Sequence, residues 1–255
     1  MKNIPEIRVL GIRIHVISVP QLHGEIERLV QEHAHSLILN VNTHAINLAL
    51  QHHWLAELYE GAGLVFCDGA GVILGARILG NSIPDRITYA DWIWELAEFA
   101  EQARLSLYML GSHLGVSEQA AAIIQARFPR LRILGHHHGY FDKSSASAEN
   151  EGVLRSINRC RPNILIVGMG MPTQERWLAQ NWGRVEADVA LTGGAVFDYV
   201  TGSLRRPPKA MTDHGWEWLG RLLIEPRRLW RRYLVGNPLF LARVLMSRLG
   251  WVHYE

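Results

Sequence analysis

Twice within Arg161 to Lys209 a short apolar run stops at glycine and gives way to a helical pattern, and this limits the fold more than any other feature of the chain. The first run, Asn163 to Val167, breaks into Gly168-Met169-Gly170-Met171-Pro172 and then a helix carrying Gln174, Glu175 and Trp177. The second, Val189 to Thr192, enters Gly193-Gly194 and reaches the single carboxylate Asp198. Uninterrupted apolar runs of this length are strands covered on both faces, which is the habit of parallel sheets. A strand, a glycine turn and a helix N-terminus in succession present backbone N–H groups to an anion. Two such strand ends predict one crevice at a sheet edge, with Gly168, Gly170, Glu175, Gly194 and Asp198 lining it.

The upstream chain repeats the pattern. Leu37 to Val41 is a buried strand ending in Asn40, Asn42 and Thr43, followed by helical material. Polar residues there stand where open α/β sheets bind ligands, or else they cap the next helix. Leu64 to Cys67 runs into Asp68-Gly69-Ala70-Gly71. A carboxylate at the tip of an apolar strand with glycines beside it suits a general base; an N-cap or Asx-turn aspartate is the other reading. Arg86 lies in a loop before an amphipathic helix from Trp92 to Arg104, where it would clamp a diphosphate or form a surface ion pair, and Asp91 reads as that helix's N-cap. Leu105 to Leu110, a helix from Val116 to Phe128 and a strand from Leu131 to Leu134 form a further βαβ unit. The loop expected after it, Gly135 to Phe141, holds three histidines in a row that cannot converge on one metal, so one functional His or Tyr140 is expected instead. The predicted class is α/β, a mainly parallel Rossmann-like sheet flanked by helices.

Charge separates the ends of the chain. From Ser203 onward ten Lys/Arg face four Asp/Glu, a local +6 that leaves −4 on the rest of a chain with a total of +2. The expected division is an α/β core over residues 1–202 and a basic amphipathic helical appendage over 203–255. With Pro226 at the first helical position, Arg227, Arg228, Arg231 and Arg232 fall on one arc of about 140° and Leu229, Trp230, Tyr233 and Leu234 on the opposite arc. Such a face, near Trp216, Trp218 and the apolar Leu239 to Leu245, suits an anionic membrane surface; an ordinary surface helix is the alternative. An apolar tail of this kind also favours self-association into a homo-oligomer. Two distant cysteines without zinc spacing argue against a disulfide scaffold, and no signal peptide or spanning helix is expected.

Asn42, Cys67-Asp68-Gly69, Arg86 to Asp91, Gly168 to Glu175, Gly193 to Asp198 and Glu225 to Leu234 together resemble the WecG/TagA/CpsF glycosyltransferases, from about Val9 to Leu241. The resemblance implies an inverting, metal-independent transferase without a cofactor. It would move a hexose of N-acetylmannosamine or glucose type from a UDP-sugar donor to a polyprenyl-diphosphate-linked sugar at the cytoplasmic face of the membrane. It makes Asp68 the general base, places Gln174 at the active site and Asn42 and Arg86 in the same pocket, and has the C-terminal arginines complete the site. Arg221 and Arg228 are the expected diphosphate neutralisers. Many members of the family carry threonine where Asn40 stands, which bears on the donor sugar. Two rival readings are set aside: a nicotinamide-dependent oxidoreductase lacks its GxGxxG and acidic partner, and a nucleic-acid binder would rest on the basic tail alone, so no nucleic acid is expected as a partner.

Overall fold

The computed structural model describes residues 4–208, 211–212 and 215–254. Its main sheet has six parallel strands in the order β4-β3-β8-β7-β5-β6. These are β3 (Ser36–Val41), β4 (Leu64–Cys67), β5 (Ser106–Gly111), β6 (Arg132–His137), β7 (Ile164–Gly168) and β8 (Val189–Thr192). A separate antiparallel hairpin, β1 (Glu6–Val9) and β2 (Ile12–His15), turns through Leu10 and Gly11. Both turn residues have positive φ, the mirror-image turn whose twist suits a hairpin. The mainly parallel α/β class is therefore the observed one.

By contacts the chain divides into two compact units. The larger comprises Val19–Leu39 and Thr88–Leu204. Here α1 (Val19–Gln31), α5 (Tyr89–Gln102), α6 (Val116–Arg127), α7 (Ala148–Cys160), α8 (Thr173–Asn181) and α9 (Val196–Thr201) accompany the strands. Every residue of β5 and β7 is buried, as the uninterrupted apolar runs require. A buried polar triangle locks α7 to α8: Trp177 Nε1 donates to Asn150 Oδ1 (2.8 Å), Asn150 Nδ2 to Asn181 Oδ1 (2.9 Å) and Asn181 Nδ2 to the Trp177 carbonyl (2.9 Å). Each buried donor finds an acceptor, so the triangle aligns the helices without an orphaned group.

Two local expectations change in this unit. The strand expected to stop at Leu134 continues to His137, because Met109 and Leu110 of β5 extend the pairing to His136 and His137. The start of α5 is Thr88, not Asp91; Asp91 lies in the first turn and accepts the Thr88 hydroxyl at 3.0 Å. The Thr88 hydroxyl is thus engaged by the Asp91 carboxylate and makes no side-chain cap bond to the helix backbone.

The other unit comprises the described residues of Met1–Ser18, Asn40–Ile87 and Arg205–Glu255. It contains the hairpin, α2 (Thr43–Ala49), α3 (His53–Gly61), α4 (Ala70–Ile78), α10 (Glu217–Ile224), α11 (Pro226–Trp230), a π-helical turn (Arg231–Val235) and α12 (Gly236–Arg248). The last helix is built into the unit's core. Phe240 and Val244 are fully buried, and the ring of Phe240 occupies the place where a Cβ on Gly75 of α4 would stand, 2.7 Å away. Polar contacts dock the same helix on α2: Thr43 Oγ1 donates to Asn237 Oδ1 (2.8 Å), Asn47 Nδ2 to the Gly236 carbonyl (2.7 Å) and Arg243 Nη1 to Asn47 Oδ1 (2.7 Å).

The expected arginine arc is kept in part. Pro226 does stand at the first helical position, and Leu229 and Tyr233, one turn apart, form the buried side of the helix. Trp230 and Leu234, about 100° further round, are exposed, so the buried stripe is narrower than the expected apolar arc; the helix winds wider over Arg231–Val235. Arg232 turns partly inward, whereas Arg227, Arg228 and Arg231 remain outside.

Candidate active site

Asp68 follows the last residue of β4, and its position is dictated by backbone before any side chain acts. Its N–H continues the ladder to the Val41 carbonyl (2.9 Å), and Ile87 N–H reaches the Cys67 carbonyl (2.9 Å). The glycines after it are required by close approach. A Cβ at Gly69 would stand 3.0 Å from that of Asn42, and one at Gly71 would stand 2.5 Å from Thr43 Cγ2. Asn42 itself caps α2, accepting from His44 N and Ala45 N at 3.1 Å each. Of its two readings, capping is the one this geometry realises.

Asp68 does not cap its helix. The N-cap of α4 is Gly69, and Asp68 Oδ2 instead receives Asn40 Nδ2 at 2.9 Å. Asn40 is buried, and Tyr59 Oη donates to its carbonyl at 3.0 Å. Burial pushes the Asp68 carboxyl up to about 7, and the nearby charge of Glu217 pushes the same way. The Asn40 hydrogen bond and the charges of Arg221 and Arg86 pull against that rise. A carboxyl titrating near neutrality is matched to proton abstraction at physiological pH, whereas an ordinary aspartate would be too weak a base. The adjoining Cys67 thiol is pushed up to about 12 by burial and is no nucleophile.

Cations surround this carboxyl. Arg86 is only a fifth exposed; its Nη1 pairs with Glu217 Oε2 at 3.3 Å and its Nη2 donates to the Thr212 carbonyl at 3.1 Å. Arg232 is held below the usual arginine range first by burial, and its Nε is buried with no hydrogen-bond partner among the described residues. Burial, and after it the charge of the same arginine, push His44 down to about 4, so that imidazole is neutral. Arg228 pairs with Glu225 at the surface and Arg231 lies over the Trp230 ring, 5.2 Å from its centroid. The five tail arginines singled out by sequence are thus sorted: Arg221 and Arg232 act on the Asp68 carboxyl, while Arg227, Arg228 and Arg231 are exposed.

The remaining sequence candidates lie in the larger unit, at the carboxyl ends of adjacent strands β7 and β8 and, for Tyr140, after β6. Gln174 joins the two glycine turns: its Oε1 accepts from Gly170 N (3.2 Å) and Gly194 N (2.9 Å), and its Nε2 donates to Glu175 Oε1 (2.8 Å). Both residues are buried, so Gln174 clamps the turns from within. Gly168 N–H closes no such clamp but its carbonyl accepts Ser112 N at 2.9 Å, an approach possible because a Cβ on Gly111, at φ 153°, would collide with that carbonyl at 2.1 Å. Ser112 Oγ in turn donates to Asp198 Oδ2 at 2.6 Å. Gly139 N–H meets the Ser112 carbonyl at 2.8 Å, and the next residue, Tyr140, is 65% exposed with its ring stacked on His113 at 4.2 Å. The outer face of such a ring pair is flat and open to solvent.

Sequence reasoning missed Ser112, His113 and Glu217. The first two carried a weak signal, a Gly-Ser-His turn after a buried strand; Glu217 carried one only as an acid set between tryptophans in a basic tail. Among the described residues no three His, Cys, Asp or Glu side chains gather as a metal-binding group.

Residues 7–253 match the model of the glycosyl transferase WecG/TagA/CpsF family. A protein of Staphylococcus aureus strain MRSA252, named N-acetylglucosaminyldiphosphoundecaprenol N-acetyl-beta-D-mannosaminyltransferase, is 27% identical over 248 residues, which is 96% of this chain and 94% of that protein. Its namesake from strain MW2 is 26% identical over the same shares. With nearly the whole chain matched, this protein belongs to the WecG/TagA/CpsF family of glycosyltransferases.

Proposed function

We propose that this glycosyltransferase is an inverting enzyme that moves an N-acetylmannosamine-type hexose from a UDP-sugar to a sugar carried on a polyprenyl diphosphate. The Staphylococcus aureus relatives are named for an N-acetylmannosaminyl transfer to N-acetylglucosaminyl-diphosphoundecaprenol, which favours that donor over glucose. The observation that carries the reading is Asp68, a carboxyl fixed by Asn40 at a strand end, titrating near 7 among arginines. In this mechanism Asp68 takes the proton of the acceptor hydroxyl as its oxygen bonds the anomeric carbon. The bond from that carbon to the UDP oxygen breaks, and UDP leaves with the electron pair. Arg221 and Arg232 supply positive charge for the acceptor diphosphate, stronger away from water than in it. For the nucleotide we assign Tyr140 and Asp198 with Gly168, Gly170 and Gly194, a stacking ring, a carboxylate and backbone turns.

Binding at the cytoplasmic membrane surface belongs to the same proposal. Trp216, Leu223, Trp230, Leu234 and Trp251 are exposed in the C-terminal segment alongside Arg227, Arg228 and Arg231. No helix among the described residues is long and apolar enough to cross a membrane. An apolar and cationic face without a span fits peripheral attachment to anionic lipid.

The test offers a panel of UDP-sugars with a short-chain polyprenyl-diphosphate-linked N-acetylglucosamine acceptor and reads the product mass. Transfer from UDP-N-acetylmannosamine by the wild type, lost in Asp68→Asn, is the expected result. Full transfer by Asp68→Asn would remove Asp68 as the base.

A further inference from the structure

Glu217 is an anomaly in the site just described. It is a carboxylate placed by the basic C-terminal segment beside Asp68, where a diphosphate-binding pocket gains nothing from negative charge. It is also well enclosed, its side chain only 14% exposed, and its oxygen holds Arg86 at 3.3 Å. Arg86 has a second anchor in the Thr212 carbonyl, 3.1 Å from Nη2. A guanidinium offers five N–H donors in a rigid fork, so two anchored positions fix its plane and leave the others for a ligand. An arginine held in this way meets an anion with less loss of side-chain freedom than an unanchored one.

We propose that Glu217 is a positioning residue of the transfer site, orienting the Arg86 guanidinium through their ion pair and setting the balance of charge around Asp68. The proposal rests on the transferase reading above. The groups acting on the Asp68 carboxyl come from four segments of its unit: Asn40 on β3, Arg86 in the loop before α5, Glu217 and Arg221 one helical turn apart on α10, and Arg232 on the π turn. Cys67 next to it stays protonated. Glu217 is the one acid in that set, and its charge acts to keep the Asp68 carboxyl protonated to higher pH. Removing the charge while keeping the shape therefore moves the Asp68 titration toward acid.

The experiment uses the full chain and Glu217→Gln, with two readouts. Carboxyl-detected NMR of Asp68 follows its titration without any substrate, and transfer to the lipid-linked acceptor gives kcat and KM across pH. In Glu217→Gln the Asp68 midpoint and the acid limb of kcat/KM both move down by about half a pH unit or more, and acceptor KM rises severalfold as Arg86 loses its anchor. Glu217→Asp keeps the charge, so its acid limb returns toward that of the wild type, a rescue that a merely structural role would not give. A folded Glu217→Gln whose midpoint and acid limb stay in place overturns the proposal. So does a midpoint that moves while the transfer profile does not. If Glu217→Gln does not fold, Arg86→Lys keeps the charge near Asp68 but cannot hold Glu217 and the Thr212 carbonyl together: acceptor KM rises severalfold, and an unchanged KM overturns the proposal. A wild type inactive with every donor overturns the transferase reading instead, and the NMR midpoint separates that failure from failure of the Glu217 role.

Discussion

Replacing Asp68 with Asn should stabilise the fold at neutral pH, by an amount that grows with pH in a calculable way. The carboxyl titrates at an ordinary 3.8 when unfolded and at about 7 in place. Its folded pKa is raised, so its contribution is fully present below about pH 4 and is lost as pH rises through 7. Each unit of difference is worth about 1.4 kcal/mol, so the loss across the whole window is at most about 4 kcal/mol. Between pH 5 and pH 7.5, where few other carboxylates titrate, it is about 2.5 kcal/mol by the same linkage. Asn keeps the shape and cannot charge, so the stability gap between variant and wild type should widen by that amount over the range. For a chain of this size that is about 5 °C or more in Tm. Urea unfolding and thermal melts of both proteins at the two pH values, without substrate, measure the gap, and subtracting one protein from the other cancels the remaining titrating groups. A gap that does not change with pH would refute the picture of a desolvated Asp68 and with it the electrostatic case for the base. A variant more stable yet inactive would show strain held at a working site.

Three further outcomes follow from the packing. Phe240→Ala empties a fully buried site against Gly75 and should cost about 3–5 kcal/mol, read as a lower denaturation midpoint; an effect below about 1 kcal/mol would mean that α12 is not part of the core. Gln174→Ala leaves the N–H groups of Gly170 and Gly194 without their shared acceptor and should cost about 2–4 kcal/mol in the same assay, with UDP affinity by calorimetry falling as the turns loosen. Charge reversal at Arg227 and Arg231, both exposed, should abolish sedimentation with anionic vesicles at low salt while leaving the melting temperature within about 2 °C; unchanged sedimentation would remove these arginines from the membrane face.

The fold was legible because its strands are buried on both faces. Runs such as Ile164 to Val167 have no polar alternation, and glycine at their carboxyl ends marks where the chain must turn closely. Local errors arose where long-range pairing overrode composition. Gly135-His136-His137 has no apolar run to announce a strand, yet β5 supplies its partners. Thr88 and Asp91 are both good capping residues, and sequence alone did not decide which would take the cap. The arginine arc holds for Arg227, Arg228 and Arg231, which are exposed, while the apolar arc narrows to Leu229 and Tyr233 because Trp230 and Leu234 lie about 100° round the helix from them.

The candidate site divides along the same line. Sequence by itself determined that Asp68 ends an apolar strand between glycines, that Gly168, Gly170 and Gly194 break two others, and that the tail is basic; each follows from residues adjacent in the chain. Only the tertiary structure decided that Asn40 holds Asp68, that Gln174 clamps two turns, that Phe240 fills the space above Gly75, and that Glu217 reaches Arg86. Those partners are distant in sequence, and their meeting depends on strand order and helix packing, which no local propensity encodes. The pKa of Asp68 belongs with them, since burial and charges brought from remote segments, not the aspartate itself, carry it from 3.8 to about 7.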